Sequence, residues 1–295
     1  MRKTQEPLSE WVLRREEICT WVSAMTRATA ELLQSAMRFE VARRGVDPGR
    51  KVEREVPQDG WDQPAGTVDP NDVWSWLYKR VVSGLNPKSL IDAGCGGAQR
   101  LRWAIDANGD PPDEVTLIDA SECNLEQART ALPHAQYVRA RLADLTGLKP
   151  TDAVLCLEVL EHIERADLAL SSCWAMVKPG GRLTISSPNR IFGIVNGWFR
   201  PNTPSSNPAH RREWTPWELI YLALFCCDGG EIESVVAPWP RHCASRLADG
   251  GQAPLTDRDF MRWRVPPVWR DDPEVIAWSL TTVVTIRKGD ATNAT

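Results

Sequence analysis

Three ionisable side chains stand within five positions in the stretch LEVLEHI, directly after an apolar run. Glu158, Glu161 and His162 are spaced at i, i+3 and i+4, so a helical turn would direct all three to one side. Such crowded groups repel one another, and a divalent cation would compensate for that repulsion. His210, in the later stretch HRREWT, is the candidate for a fourth ligand. Two carboxylates and two imidazoles suit Mg²⁺ or Mn²⁺ better than a closed structural zinc site.

The same residues could also act without a metal ion. His162 or His210 could take a proton from an acidic acceptor as a general base, or form only a hydrogen bond at the rim of a site. In either case the candidate catalytic residues are His162, His210 and Glu161.

A second group of residues is typical of a nucleotide cofactor. In LIDAGCGGAQ a strand runs into glycines and then a helix, and Gly94 and Gly96 would let the backbone approach a ligand closely. The next strand ends at Asp119, whose carboxylate could accept both hydroxyls of a ribose. A glycine turn alone also fits an ordinary strand-to-helix connection. The turn and the acidic strand end together predict a nucleoside-containing cofactor.

The elements that must position these residues begin at about residue 71. Short β-rich runs alternate there with helical segments, which predicts an α/β fold with a doubly wound, mostly parallel sheet and helices on both faces. The predicted strands are SLIDAGC, EVTLID, QYVRAR, DAVLCLE, GRLTISSPN, EIESVVA and SLTTVVTIR. The predicted helices are NDVWSWLYKRVV, QRLRWAIDA, NLEQARTAL, RADLALSSCWAMV and TPWELIYLALF.

The chain divides into three parts by pattern. Residues 1–45 are predicted to form a helical appendage, because apolar residues recur there at seven-residue spacing. This stripe is expected to pack on the following domain, with a homodimer seam or a substrate lid as alternatives. Residues 46–70 are rich in Gly, Pro and Asp and predict a linker. Residues 71–290 form the predicted catalytic domain, with an insertion at 238–275 that carries Trp239, Trp263 and Trp269.

Composition excludes some classes of protein. The formal net charge is −4, whereas proteins that bind double-stranded nucleic acid tend to be strongly basic. Any contact with a nucleic acid must therefore be local. Eight cysteines without a C-x-x-C pair are expected to be reduced thiols. The start of the chain, MRKTQEPLSEWVLRREE, has no apolar core of a signal peptide, and nowhere do eighteen apolar residues run together as in a membrane span. We therefore expect a soluble, cytoplasmic protein without a membrane partner.

The glycine turn, the acidic strand end and the stretch VKPGGRLTISSPN together resemble the class I S-adenosylmethionine (SAM)-dependent methyltransferases. The resemblance implies a seven-stranded sheet and SAM as methyl donor, with Asp92, Gly94 and Gly96 at its amino-acid end and Asp119 at its ribose. Two positions depart from the family pattern. Ala98 replaces a frequent third glycine. Arg141 stands where an acidic residue often meets the adenine, so only the backbone of Arg141 and Leu142 is expected to border that ring.

The motifs E-x-x-E-H and H-x-x-E-W-T resemble the small-RNA 3′-terminal 2′-O-methyltransferases. That resemblance implies a metal held by Glu158, Glu161, His162 and His210, and an RNA 3′ end as partner. Small-molecule methyltransferases related to the ubiquinone and biotin O-methylases carry similar runs. We predict O-methylation of a small-molecule acceptor, with metal-dependent RNA 2′-O-methylation as the alternative. A catalytically degenerate binding protein of the same fold is a second alternative.

Overall fold

The computed structural model describes residues 68, 73–190, 210–236 and 281–290. Three predictions made from the sequence lie outside these residues. They are the N-terminal helical appendage at 1–45, nearly all of the linker at 46–70, and the tryptophan-bearing insertion at 238–275.

Seven strands and five α-helices make up the described part of the chain. The strands are β1 (Ser89–Ala93), β2 (Glu114–Asp119), β3 (Gln136–Arg139), β4 (Thr151–Leu157), β5 (Val177–Pro188), β6 (Gly230–Val236) and β7 (Thr281–Lys288). The helices are α1 (Val73–Leu85), α2 (Gln99–Asn108), α3 (Glu122–Ala131), α4 (Ala166–Ala175) and α5 (Pro216–Cys226). Single 3₁₀ turns cover Leu142–Asp144 and Leu160–His162. Each strand and helix predicted from residue 71 onward corresponds to one of these elements.

The strands form one sheet in the order β3-β2-β1-β4-β5-β7-β6. The pairs among β1 to β5 are parallel, whereas β7 runs antiparallel to both β5 and β6. The prediction of a mostly parallel sheet is confirmed, and the antiparallel strand makes it a mixed one. The chain reverses its direction of winding between β1 and β4. Ligands bind beyond the carboxyl ends of the strands at such a switch point.

The apolar runs of the central strands follow from burial on both faces of the sheet. All five residues of β1 are buried, and so is nearly all of β4. One core lies between the sheet and α4 with α5, and the other lies between the sheet and α1, α2 and α3. The central strands are therefore fixed from both sides, which holds their carboxyl ends in place.

Local signals set the starts of the helices that follow the site strands. The hydroxyl of Ser121 accepts from the backbone N–H of Asn124 and caps α3. Thr215 and Glu218 form a reciprocal capping box at the start of α5. Among the described residues, no helix combines the length and the apolar character that crossing a bilayer requires.

Candidate active site

The turn after β1 brings the backbone close to its neighbours. The N–H groups of Gly94 and Cys95 donate to the carbonyl of Ile118 at 2.7 and 3.0 Å, which joins the turn to β2. Gly94 has φ of 82°, and a Cβ on it would lie 2.5 Å from Cγ2 of Val159. Only glycine fits at this position, because both its backbone conformation and the space around it exclude a side chain.

Ala98 occupies the position where the family pattern often has a third glycine. Its φ is 57°, in the left-handed region, and it is the residue that precedes α2. The backbone of this chain therefore keeps the conformation that glycine favours, and the small alanine side chain is buried there.

Asp92 lies one residue before the end of β1 and is fully buried. Within the described structure, neither carboxylate oxygen has a hydrogen bond of normal geometry. Burial, and then the nearby carboxylate of Asp119, raise the pKa of Asp92 to about 7, while the Tyr78 hydroxyl offsets part of this shift. Because an unpartnered buried carboxylate is unfavourable, this position fits a cationic donor such as the ammonium group of SAM.

Asp119 ends β2 beside the glycine turn. Its Oδ2 accepts from the N–H of Gly96 at 2.9 Å, and its Oδ1 accepts from the N–H of Ser121 and from Asn124 Nδ2 at 2.9 and 3.2 Å. A carboxylate offers about four acceptor positions, so capacity for a ribose hydroxyl remains. The residue thus both organises the turn and fits the role of ribose ligand.

The segment predicted to border the adenine follows β3. Ala140 donates its N–H to the carbonyl of Asp119 at 3.1 Å, so the segment lies directly beside the ribose position. The side chain of Arg141 is exposed and 3.8 Å from Asp144, whereas Leu142 is buried at the start of a 3₁₀ turn. Because the side chain of Arg141 is exposed, the backbone of Arg141 and Leu142 is the part of this segment that fits beside the adenine ring.

The second predicted group also forms at the carboxyl edge of the sheet. Glu161, His162 and His210 each offer a ligand atom, and these atoms lie within 4.8 Å of one another. The two imidazole rings stand edge to face, with centroids 4.9 Å apart and an interplanar angle of 77°. One carboxylate and two imidazoles at these separations can hold a divalent cation.

The buried environment of Glu161 is the strongest indication that this group could hold a cation. It is 1% exposed, and its Oε2 has no hydrogen bond in the part of the chain that the structure describes. Burial, and then the charges of Glu158 and Glu213, raise the pKa of Glu161 well above its ordinary value. A bound divalent cation would reverse that effect by stabilising the carboxylate.

Glu158 lies outside this three-residue group. Its φ is 57°, and the 3₁₀ turn begins only at Leu160, so the three residues of LEVLEHI do not share one helical face. Its Oε1 accepts from the hydroxyls of Ser186 and Thr281, both at 2.7 Å. Burial raises the pKa of Glu158 to about 7, and these two hydrogen bonds oppose the shift.

Besides Ser186, which donates to Glu158, three residues of the site received no role from the sequence. Tyr78 of α1 lies beside Asp92, and Thr281 of β7 reaches Glu158 from the far end of the chain. Glu213 contacts His210 at 2.7 Å. Only Glu213 had a usable signal, since it stands three residues after His210 inside a motif already noted.

Comparisons with known proteins agree with this geometry. A family model described as "Methyltransferase domain" matches residues 91–183, which contain the glycine turn, Asp119 and the LEVLEHI stretch. The ubiquinone biosynthesis O-methyltransferase of Idiomarina loihiensis is 29% identical over 218 residues, or 67% of this chain and 85% of that protein. The protein of the same name from Alkalilimnicola ehrlichii is 30% identical over 176 residues, or 54% of this chain and 69% of that protein. The chain belongs to the class I SAM-dependent methyltransferases.

Solved structures share the fold of this methyltransferase. A SAM-dependent methyltransferase from Mesorhizobium loti superposes with a TM-score of 0.51 at 18% identity, over 75% of this chain and 100% of that chain. The methyltransferase domain of bacterial CtHen1-C superposes with a TM-score of 0.50 at 18% identity, over 73% and 96%. Because the chain belongs to this family, its methyl donor is SAM. The orphaned Asp92, the glycine turn and Asp119 fit the amino-acid and ribose parts of this donor.

Proposed function

We propose that this methyltransferase transfers the methyl group of SAM to a hydroxyl oxygen of a small-molecule acceptor. The observation that carries the choice of acceptor is that relatives at 29% and 30% identity bear the name ubiquinone biosynthesis O-methyltransferase. The geometry supports oxygen as the target, because two imidazoles and a carboxylate meet beside the donor site.

We assign the residues around the glycine turn to the donor and the group of Glu161, His162 and His210 to the acceptor. Asp92 and the backbone of Gly94 and Gly96 hold the amino-acid end of the donor, and Asp119 holds its ribose. The backbone at Arg141 and Leu142 borders the adenine. Bound SAM supplies an electrophilic methyl group on its sulfonium. The protein contributes alignment, which can account for a large part of the barrier reduction in such a transfer.

The three-residue group is proposed to prepare the acceptor oxygen. Glu161, His162 and His210 would hold Mg²⁺ or Mn²⁺, which lowers the pKa of a nearby hydroxyl when bound. The acceptor oxygen forms a bond to the methyl carbon while the carbon–sulfur bond breaks, and the electron pair stays on sulfur. The hydroxyl proton passes to an imidazole of His162 or His210, or to solvent. Glu158, held by two hydroxyls, stands next to this group as an additional candidate ligand.

The second candidate function is metal-dependent 2′-O-methylation of the 3′-terminal ribose of RNA. The close approach of Glu161, His162 and His210 favours it, because a cation there would suit the two neighbouring hydroxyls of a terminal ribose. An aromatic compound with two adjacent hydroxyls offers the same pair of oxygens. The geometry of the three-residue group therefore fits both acceptors equally.

An acceptor panel separates these functions. Labelled SAM is supplied with small phenols, ortho-diphenols and carboxylic acids, and with short single-stranded RNAs whose 3′ ribose is free or blocked, each with Mn²⁺. We expect label on the oxygen of a small hydroxylated compound and none on either RNA. Label on the free RNA end, lost when that end is blocked, would replace the small-molecule proposal by the second candidate.

A further inference from the structure

We infer that Glu213 is a positioning residue, which holds His210 in the tautomer whose Nε2 carries no proton. That nitrogen can then bind a cation or accept the proton of an acceptor hydroxyl. The inference deepens the proposed function and rests on it, because it is the proposed site that gives His210 a chemical task.

The contact between the two side chains is short and shielded from water. Oε1 of Glu213 lies 2.7 Å from Nδ1 of His210, and the side chains are 4% and 12% exposed. A carboxylate can only accept, so the proton of this hydrogen bond belongs to Nδ1. A neutral imidazole has one N–H, and Nε2 is then the basic nitrogen.

The backbone between these two residues and directly after them is hydrogen-bonded to the rest of the site. The N–H groups of Arg211 and Arg212 donate to the carbonyl of Glu161 at 2.7 and 3.2 Å. The carbonyl of Trp214 accepts from the N–H of Arg190 at 3.1 Å, just beyond β5. The segment that carries His210 and Glu213 is thus hydrogen-bonded to the main chain of a proposed metal ligand.

A role in protein stability alone explains the contact between Glu213 and His210 less well than a positioning role. Burying a carboxylate beside an imidazole gains little stability over an apolar pair, because both groups lose their hydration. The pair instead matches a recurrent arrangement, in which a metal-binding histidine donates its other ring N–H to a carboxylate that sets its orientation and basicity. The orientation of the His210 ring matters here, because the ring of His162 lies 4.9 Å away and both imidazoles belong to the proposed metal site.

The test uses imidazole nitrogen signals of the full-length chain labelled with ¹⁵N-histidine. The chain has four histidines, and the signals of His210 are those missing from His210→Asn. Spectra are recorded without metal at increasing pH, until the imidazole signals no longer change. Glu213→Met removes the acceptor, and Glu213→Gln keeps an oxygen that can accept. Glu233→Met is the matched control, since Glu233 is a largely buried carboxylate paired with Arg182 and remote in sequence from His210.

We expect the Nδ1–H tautomer of His210 in the wild type, in Glu213→Gln and in the control, and its loss in Glu213→Met. Mn²⁺ affinity, measured by electron paramagnetic resonance, should fall about 10- to 100-fold in Glu213→Met and less in Glu213→Gln, while SAM affinity stays unchanged.

An Nε2–H tautomer in the wild type would overturn the inference, and so would a Glu213→Met protein with the wild-type tautomer. If Glu213→Met does not fold, the wild-type spectrum still shows which tautomer His210 adopts, and an Nε2–H tautomer there is enough to overturn the inference. The tautomer needs neither metal nor acceptor, so this result is independent of whether the proposed function is right.

Discussion

Asp92 and Glu161 share a state that is uncommon for acidic residues. Each is buried, and each has at least one carboxylate oxygen without a hydrogen bond in the described structure. Such groups lower the stability of the protein unless a ligand pairs with them. The ammonium group of SAM fits the first and a divalent cation fits the second. We therefore expect both ligands to raise the melting temperature of the protein.

The pKa of Asp92 predicts how SAM binding depends on pH. A folded-state pKa of about 7, above the ordinary 3.8, means that the stability linked to protonated Asp92 is present at low pH and is lost as pH rises toward 7. SAM prefers the ionised carboxylate, so its affinity should rise about eightfold between pH 6 and pH 7.5. Calorimetry should also detect proton release at pH 6. In Asp92→Asn, which cannot ionise, most of this dependence should disappear although Asp119 and Tyr78 remain nearby. An unchanged slope in that variant would contradict the assignment.

Asp119→Ala tests the ribose site. The variant loses hydrogen bonds to the donor and the contact that ties Gly96 to β2, so SAM binding should weaken by about 2 kcal/mol. Asp144→Ala, which removes a carboxylate from an exposed pair with Arg141, is the control and should bind SAM normally. Equal affinity of Asp119→Ala and the wild type in calorimetry would remove Asp119 from the donor site.

Individual positions were predictable from the sequence where a residue stands at a strand end. Asp119 and the glycine turn follow apolar runs directly, and parallel strands bring such ends to one edge. The spacing of Glu213 and His210 was visible in the motif, but the contact of their segment with Glu161 was not predictable, because it depends on the segment after residue 209 folding back onto Glu161. Thr281 was not predictable either, since it reaches Glu158 from a strand more than a hundred residues later.

At the level of elements, the turn between β1 and α2 is the most constrained connection. Gly94→Ala forces a side chain into the left-handed region, which costs about 1–2 kcal/mol, and places its Cβ 2.5 Å from Val159 Cγ2. We expect weaker SAM binding and a lower free energy of unfolding in denaturant titrations. Val159→Ala in the same chain should restore part of the loss by removing the overlap.

Gly84→Ala is the matched control for that prediction. Gly84 lies in α1, and a Cβ there would meet nothing within 4 Å. Because alanine favours a helix over glycine by up to ~1 kcal/mol, this variant should be neutral or slightly stabilised. A Gly94→Ala protein as stable as Gly84→Ala would show that the turn tolerates a side chain.

The sequence also predicted the order and type of the elements, since each apolar run and each helical segment stands alone between turn signals. It did not predict the conformation after β4. The spacing of Glu158, Glu161 and His162 fits one helical face, but Glu158 adopts a left-handed conformation and only Leu160–His162 turn. Contacts with Ser186 and Thr281 hold Glu158 in place, and such tertiary contacts override local periodicity.

At the scale of the whole molecule, the two hydrophobic cores that the described residues form lie between residues 78 and 286. Deleting residues 1–45 should therefore leave a protein that melts in one cooperative transition, because the deletion ends well before α1. Circular dichroism at rising temperature measures this directly. Loss of the cooperative transition would mean that the N-terminal residues belong to the core of the domain.

The central claim is that methyl transfer from SAM takes place at the group formed by Glu161, His162 and His210. The measurement is S-adenosylhomocysteine formation with an ortho-diphenol acceptor, in Mn²⁺ and in excess EDTA. We predict that EDTA abolishes turnover, that Mn²⁺ restores it, and that His210→Ala lowers turnover in Mn²⁺ while SAM affinity stays unchanged. Full turnover in excess EDTA, with His210→Ala as active as the wild type, would contradict the account.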